Sequence, residues 1–479
     1  MTTTIPDNRI VELMLEVPPG QVVRYDLAAL ASALNIADPG RIAVETDGGR
    51  HALVTIYPSN PLAIMPPPSP ADMLMDRHGR IVMGRYHNGR PARRRLFDPR
   101  TGSAQRALVF GTTGAGKSRT VQYLLACEKR NRVVSLFADL KGGQSAPEAA
   151  GQVDWRATSQ EEAILMLRVA VAVAKERQLR YSRLGRTAFL IGIPDPLISV
   201  RIDEANRLLE RGAPYREEAT FLIKELGRTG RSVGVGVELD AQASHLEELG
   251  GSDTLRAMLK EGEVTLLRWS SSMMRQLVAD GLLPAGEQLM PIPKSIQPRV
   301  LRSQFAEDAG DDDDFCDTQG MAYLLSSPHP TSLMRHFRIG SIAPTPGLDP
   351  EILSLYGDGD PAQLEQASWE AAGPAYAARH DPDAMAALCR ALQAEQEQQA
   401  QATGAGSTSG GKKARLEDRV LAALEASEGA LTADGVLEAV LADGGKEVKR
   451  GSVCNTLGLL ADRGDVDRLE RGLYTLADS

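Results

Sequence analysis

The 479-residue sequence predicts an α/β fold: a mostly parallel sheet with crossover helices, a small N-terminal α+β module before it and a C-terminal winged helix after it. Three observations predict it. Through the centre of the chain, apolar β-prone runs alternate with amphipathic helical stretches, the pattern of successive βαβ units. One such run, Ala107-Leu-Val-Phe110, passes straight into Gly111-Thr-Thr-Gly-Ala-Gly-Lys117-Ser118 and then into the amphipathic stretch Arg119 to Ala126. Beyond a Gly/Ser-rich linker, the C-terminus reads as three short helices and a hairpin.

Length alone implies roughly two to four domains. An aromatic content of 4% makes the core aliphatic, and a formal net charge of -9 excludes a uniformly basic nucleic-acid coat, so any contact with DNA must come from local basic patches. Cys127, Cys316, Cys389 and Cys454 are scattered without C-x-x-C spacing, which reads as a reduced, cytoplasmic protein without structural zinc. No stretch of about 18 consecutive apolar residues is present, and Met1 to Asn8 lacks the regions of a signal peptide, so no membrane span of its own is expected.

In chain order, helix-like Arg24 to Ala33 and strand-like His51 to Tyr57 form the N-terminal module, residues 1–60. The connector Pro61 to Pro70 sustains neither helix nor central strand and marks a boundary. Ile81 to Gly84 and the basic stretch Arg90 to Phe97 read as short strands entering the nucleotide domain, residues 61–345. Strands are expected at Val133 to Ala138, Leu197 to Ile202 and Val233 to Leu239, with helices at Gln160 to Lys175 and Glu217 to Leu226. Asp311 to Asp314 reads as a solvated loop. A helical extension (346–400), a flexible linker (401–413) and the winged helix (414–479) complete the chain.

The glycine-rich stretch matches G-x-x-x-x-G-K-[ST], a P-loop. Gly111, Gly114 and Gly116 free the backbone so that its N–H groups, with those of Thr112, Thr113 and Ala115, wrap a triphosphate. Lys117 reaches the β- and γ-oxygens and Ser118 is placed to ligate Mg²⁺, so ATP and Mg²⁺ are the expected cofactors. Asp203-Glu204 ends a later strand, where Asp203 would hold the Mg²⁺ shell and Glu204 would polarise the attacking water. Arg201 interrupts that strand's apolar run. In the next strand Val233, Val235, Val237 and Leu239 alternate with Gly234, Gly236, Glu238 and Asp240, which predicts a half-buried strand ending where Gln242 could sense the γ-phosphate. Arg228 and Arg231 read either as solvated surface residues or as an arginine finger for a neighbouring subunit. At the C-terminus, Lys449, Arg450, Ser452 and Asn455 open the third helix and Arg468 and Arg471 lie on the wing, within reach of DNA; the unit's slightly acidic balance leaves a protein-binding winged helix open.

With these residues in place, Pro58 to Gly340 resembles the FtsK/SpoIIIE-type DNA translocases, and most closely the Tra-type conjugal transfer proteins of actinomycete plasmids. The resemblance rests on the P-loop, Asp139-Leu-Lys-Gly-Gly143, the Asp203-Glu204 strand, Arg231 to Gln242, and Gly250 to Arg256 with Arg268 beyond; Gly320 to Tyr323 and Met334-Arg335 echo it more weakly. It implies a RecA-like ATPase motor, a hydrolase that assembles as a homo-oligomeric ring, a hexamer by resemblance, around double-stranded DNA. It also implies Arg231 as the finger and Gln242 as the sensor, both counted with Glu204 and Lys117 among the catalytic residues. Three features depart from the family: Glu238 and Asp240 in the sensor strand, His245 after the glutamine, and the lack of a membrane-spanning N-terminus, so that the chain would need a membrane partner protein or would act elsewhere on DNA. The expected activity is ATP-dependent translocation of double-stranded DNA in plasmid or chromosomal transfer. The alternatives are a nucleotide-switched DNA-binding regulator and a secretion-type ATPase of the same family.

Overall fold

The computed structural model describes residues 9–241, 252–268, 283, 287, 289–296, 316–405, 416–427, 430–442, 448–463, 466–470 and 472–476. Gln242, His245, Asp311 to Asp314, most of the expected linker and Arg471 lie outside the described residues. The chain divides into two compact units, Met1–Arg390 and Ala391–Ser479.

The first unit opens with β1 (Val11–Glu16), α1 (Leu27–Ala33), β2 (Ile42–Thr46) and β3 (His51–Ile56), paired antiparallel in the order β1-β3-β2. Asp26 caps α1 by accepting a hydrogen bond from Ala29 N at 2.7 Å, and Ala31, Ile36, Ile42, Val54 and Ile56 form the small apolar core beneath.

The chain then adds β4 (Arg80–Tyr86), β5 (Pro91–Arg95), the short pair β6 (Phe97–Asp98) and β7 (Ser103–Ala104), and β8 (Arg106–Gly111). There follow α2 (Lys117–Arg130), β9 (Val134–Asp139), β10 (Trp155–Ala157), α3 (Gln160–Arg183), β11 (Ile198–Asp203), α4 (Asn206–Leu209), α5 (Arg216–Thr229), β12 (Val235–Ala241), α6 (Asp253–Lys260) and β13 (Glu263–Leu267). Next come β14 (Ser295–Ile296), β15 (Cys316–Asp317), β16 (Met321–Leu324) and β17 (Met334–His336). One sheet of ten strands runs β10-β9-β11-β12-β8-β13-β16-β17-β4-β5. Its first six strands are parallel and the remainder antiparallel. In the parallel half, β8, β9 and β12 are buried at every position, as expected where helices cover both faces. Because those strands are parallel, their C-terminal ends share one edge: Asp203 pairs in register with both Asp139 and Asp240, and Ala241 with Phe110. Helices Pro350–Tyr356 and Gln366–Ala377 pack onto α2 and α3 respectively.

The alternation in β12 predicted a half-buried strand, and the structure corrects this: Glu238 is 5% exposed and Asp240 wholly buried. The cause lies elsewhere in the sequence. Arg94 on β5 donates to Glu238, although β8, β13, β16, β17 and β4 separate the two strands in the sheet. The sheet therefore curls until its antiparallel end covers the acidic face of β12. Arg201, the residue that interrupts β11, pairs with Glu238 from one side and with Glu128 of α2 at 2.7 Å from the other. Ser135 and Ser199 also donate to Glu128, at 2.7 and 2.8 Å. A second correction is local: the helix Pro382–Ala405 continues into what the composition marked as linker.

The second unit contains helices Leu416–Glu425, Ala433–Ala442 and Arg450–Arg463 and a three-stranded antiparallel sheet. In that sheet Leu473–Leu476 lies between Leu431–Thr432 and Val466–Glu470. Thr432 Oγ1 accepts from Gly435 N at 3.1 Å and so opens the second helix. Val420, Leu424, Val436, Val440, Val453, Leu457, Leu460 and Val466 close an aliphatic core.

Removing the central cation of the buried network tests its weight. Arg201→Met leaves Glu128 and Glu238 charged in a dry interior and is expected to cost about 3–5 kcal/mol, read from the urea midpoint of the first unit's unfolding. An unchanged midpoint contradicts the network.

Candidate active site

The P-loop leaves β8 at Gly111 and ends in the first turn of α2. Gly114 and Gly116 have φ of +76° and +99°, a region that disfavours any residue with a Cβ. At Gly116 a Cβ would also stand 3.3 Å from Gly320 N, which donates to Ala115 O at 3.0 Å. Gly116 is the N-cap of α2 and supplies no side chain to its amides, which leaves the positive end of the helix open to an anion. Thr112 is half-buried, Thr113 exposed and Ser118 half-buried on the first turn.

Lys117 is 8% exposed and its ammonium donates to Asp203 and, at 2.8 Å, to Glu204. The structure thus brings three of the sequence-predicted residues into contact. Burial opposes the charge on Lys117, but Asp203 and Asp240 outweigh it and the pKa is raised. For Glu204, burial favours the neutral acid, yet hydrogen bonds from Lys117 and Lys141 hold the pKa below the ordinary value. Glu204 has φ of +57°, a rare conformation for this residue type, and its N–H donates to Asp203 Oδ1 at 3.0 Å. The other carboxylate oxygen of Asp203 is buried without a hydrogen-bond partner.

Two cations in this site were given no role from the sequence, although both are among the residues that carry the family resemblance. Lys141 Nζ stands 3.1 Å from Glu204 Oε2. Arg268, with φ of +42°, donates to Thr318 at 3.1 Å, and its Nη1 lies 3.5 Å from where a Cβ on Gly114 would be. Asp240 is the third carboxylate of the row. Neither of its oxygens finds a hydrogen-bond donor, and Arg201 Nη1 stands 3.9 Å away. Burial, then the Glu238 charge, push its pKa well above the ordinary carboxylate value.

The donor set fits Mg²⁺. Among the described residues no group of three or more His, Cys, Asp or Glu could hold a metal by itself. Mg²⁺ characteristically takes one or two protein oxygens and completes its shell with phosphate and water, which Asp203 Oδ2 and the Ser118 hydroxyl suit. A cavity of about 420 Å³ adjoins Gly116 and Thr120, walled by Ile64, Met65, Phe337 and Ile339. His336 in its wall is buried, its Nε2 lacks a partner, and burial lowers its pKa to about 3, so it presents a neutral imidazole.

The remaining predicted residues lie apart from this cluster. Arg231 is exposed just before β12, at the strand end remote from the P-loop, and does not reach its own chain's site. In the second unit, Lys449, Ser452 and Asn455 are exposed, Arg450 is paired with Asp434, and Arg468 stacks over the Tyr474 ring at 5.7 Å. No described helix is long and apolar enough to cross a membrane.

No protein-family model matches the chain, and no curated protein matches it. Solved structures do. The cytoplasmic domain of the Thermomonospora curvata type VII secretion ATPase EccC is similar at 20% identity and a TM-score of 0.42, over 62% of this chain and 33% of that one. The pCW3 conjugation coupling protein TcpA, a monomer form with ATPγS, is similar at 15% identity and a TM-score of 0.43, over 69% and 85%. EssC ATPases 2 and 3 from Geobacillus thermodenitrificans are similar at 15% identity and a TM-score of 0.41, over 68% and 53%. The chain thus spans a third of the EccC structure's length.

The unpartnered acid gives a pH-dependent prediction. A carboxyl whose folded pKa is raised binds more protons folded than unfolded, so it costs stability above the ordinary value of 3.8 and nothing below it. Asp240→Asn is therefore expected to raise the urea midpoint at pH 7, with the gain shrinking as the pH falls and closing below the ordinary value. A variant less stable than wild type at pH 7 contradicts this.

Proposed function

We propose that this chain is an ATPase whose hydrolysis drives movement along double-stranded DNA. The observation that carries the ATPase reading is the joining of Lys117, Asp203 and Glu204 at one edge of a parallel sheet, directly beside an open helix N-terminus.

In this reading the backbone from Gly111 to Ser118 cradles the phosphates, Lys117 transfers to the β- and γ-oxygens, and the cavity lined by Ile64 and Phe337 takes the nucleoside. Asp203 and Ser118 would hold Mg²⁺, which would supply positive charge for the negative charge developing on the phosphoryl oxygens. Glu204 orients a water and accepts its proton as the water oxygen bonds to the γ-phosphorus and the bond to the β-γ bridging oxygen breaks. Gln242 follows the last residue of β12, whose end adjoins Phe110, and serves as the sensor. Arg231, which faces away from its own P-loop, serves as a finger on the next subunit of a ring, which makes the homo-oligomer part of the mechanism.

The DNA part of the proposal is supported by the C-terminal unit, whose three helices and antiparallel sheet suit a winged helix. Lys449, Ser452 and Asn455 are exposed at the start of the third helix and Arg468 on the hairpin, where a major groove and its phosphates would be met. The Arg450–Asp434 pair is exposed on both sides, so phosphate can displace the carboxylate at little cost.

Steady-state ATP hydrolysis tests both parts. Turnover is expected to rise with added double-stranded DNA and with its length, and to vanish in Lys117→Ala. Glu204→Gln is expected to lose on the order of 10²–10⁴-fold in kcat. Slow turnover indifferent to DNA overturns the translocase and leaves a nucleotide-switched DNA-binding regulator.

A further inference from the structure

We propose that Lys141 is a positioning residue for Glu204: the turn Asp139-Leu-Lys-Gly-Gly143 holds its ammonium on that carboxylate while Lys117 changes partners from the carboxylates to the phosphates. The proposal rests on the ATPase reading above.

The turn is built around a buried carboxylate. Asp139 has no exposed surface, and its oxygens accept from Lys141 N at 3.2 Å, Ser145 N at 2.8 Å and Ala146 N at 3.1 Å. Three backbone amides thus satisfy its charge, and Lys141 is free to serve another group. Gly142 and Gly143 have φ of +69° and +83°, and a Cβ on Gly143 would lie 2.4 Å from the guanidinium of Arg156, which donates to Gly143 O. Side chains are excluded where the chain must reverse. Asp139 pairs in register with Asp203, so Lys141 emerges one strand from Glu204 and reaches its Oε2 at 3.1 Å.

That same oxygen accepts from Lys117 at 2.8 Å. Two ammonium groups, those of Lys117 and Lys141, thus face the carboxylates of Asp203 and Glu204. When the phosphates draw Lys117 away, Glu204, 3% exposed, loses one cation just as the negative γ-phosphate arrives beside it. A buried carboxylate left without a counter-charge is strongly unfavourable. Lys141 is placed to remain on it at 3.1 Å, so it keeps Glu204 aimed while the triphosphate is bound. The rare backbone conformation at Glu204 also needs such a tether, since a strained residue persists only when its surroundings over-determine it.

A binding cycle separates this role from a phosphate contact and from a merely structural one. The full chain and its Lys141→Met, Glu204→Gln and double variants are titrated with Mg·ATPγS and with Mg·ADP, with Lys141→Arg as the conservative control. Lys141→Met is expected to weaken ATPγS relative to ADP by about tenfold or more, to do so by less than about twofold in the Glu204→Gln background, and to be rescued by arginine. Lys141→Met should also lower kcat for ATP. An equal loss in both backgrounds means that Lys141 binds phosphate itself, and no loss in either means that it does nothing for Glu204; each overturns the proposal while leaving the ATPase reading intact. A wild-type chain that binds neither nucleotide overturns both.

Discussion

Asp139, Asp203 and Asp240 lie at the C-terminal ends of three adjacent parallel strands, the last of them one residue before its strand's end, pair in register, and have no exposed surface. Like charges in such a row cannot all be buried without compensation, and each is treated differently. Backbone amides of the following turn satisfy Asp139. Lys117 of the P-loop meets Asp203. Asp240 has the Arg201 guanidinium 3.9 Å away and the charge of Lys117 but no hydrogen-bond donor, and burial keeps it toward the neutral form. The curl of the sheet follows from the same constraint, because Arg94 must come across from the antiparallel end to help neutralise Glu238 on the face beneath.

Lys117 is held by Asp203 and Glu204, so in the proposed reading nucleotide binding and activation become one exchange of partners. In the proposed reading, nucleotide competes with Asp203 and Glu204 for Lys117 and on succeeding frees an oxygen of Asp203 for the metal. In that reading Arg268, beside Gly114, and Lys141, on Glu204, keep positive charge at the loop during the exchange.

How much of this was legible in the sequence depended on whether the determining contacts were local. The P-loop, its flanking strand and helix, and Asp203-Glu204 were readable because strand, turn and helix follow one another in a fixed spacing. The three helices and hairpin of the C-terminal unit were readable from local periodicity for the same reason. The acidic alternation of β12 was read as a half-buried strand because a period of two reports which residues share a face, not what covers it, and the cover is an arginine six strands away along the sheet. Arg201 looked like a flaw in β11 and is instead the hinge of the charge network. Lys141 and Arg268 stood inside recognised motifs, yet nothing in their own spacing says which carboxylate or glycine each would meet.

The most direct measurement is a crystal structure of the chain with Mg·ATPγS. The account predicts triphosphate on the Gly111 to Ser118 loop, Lys117 moved onto the phosphate oxygens, Mg²⁺ between Ser118 and Asp203, and Lys141 still on Glu204. Lys117 remaining on Asp203 and Glu204 with nucleotide bound, or nucleotide bound away from the loop, would contradict it.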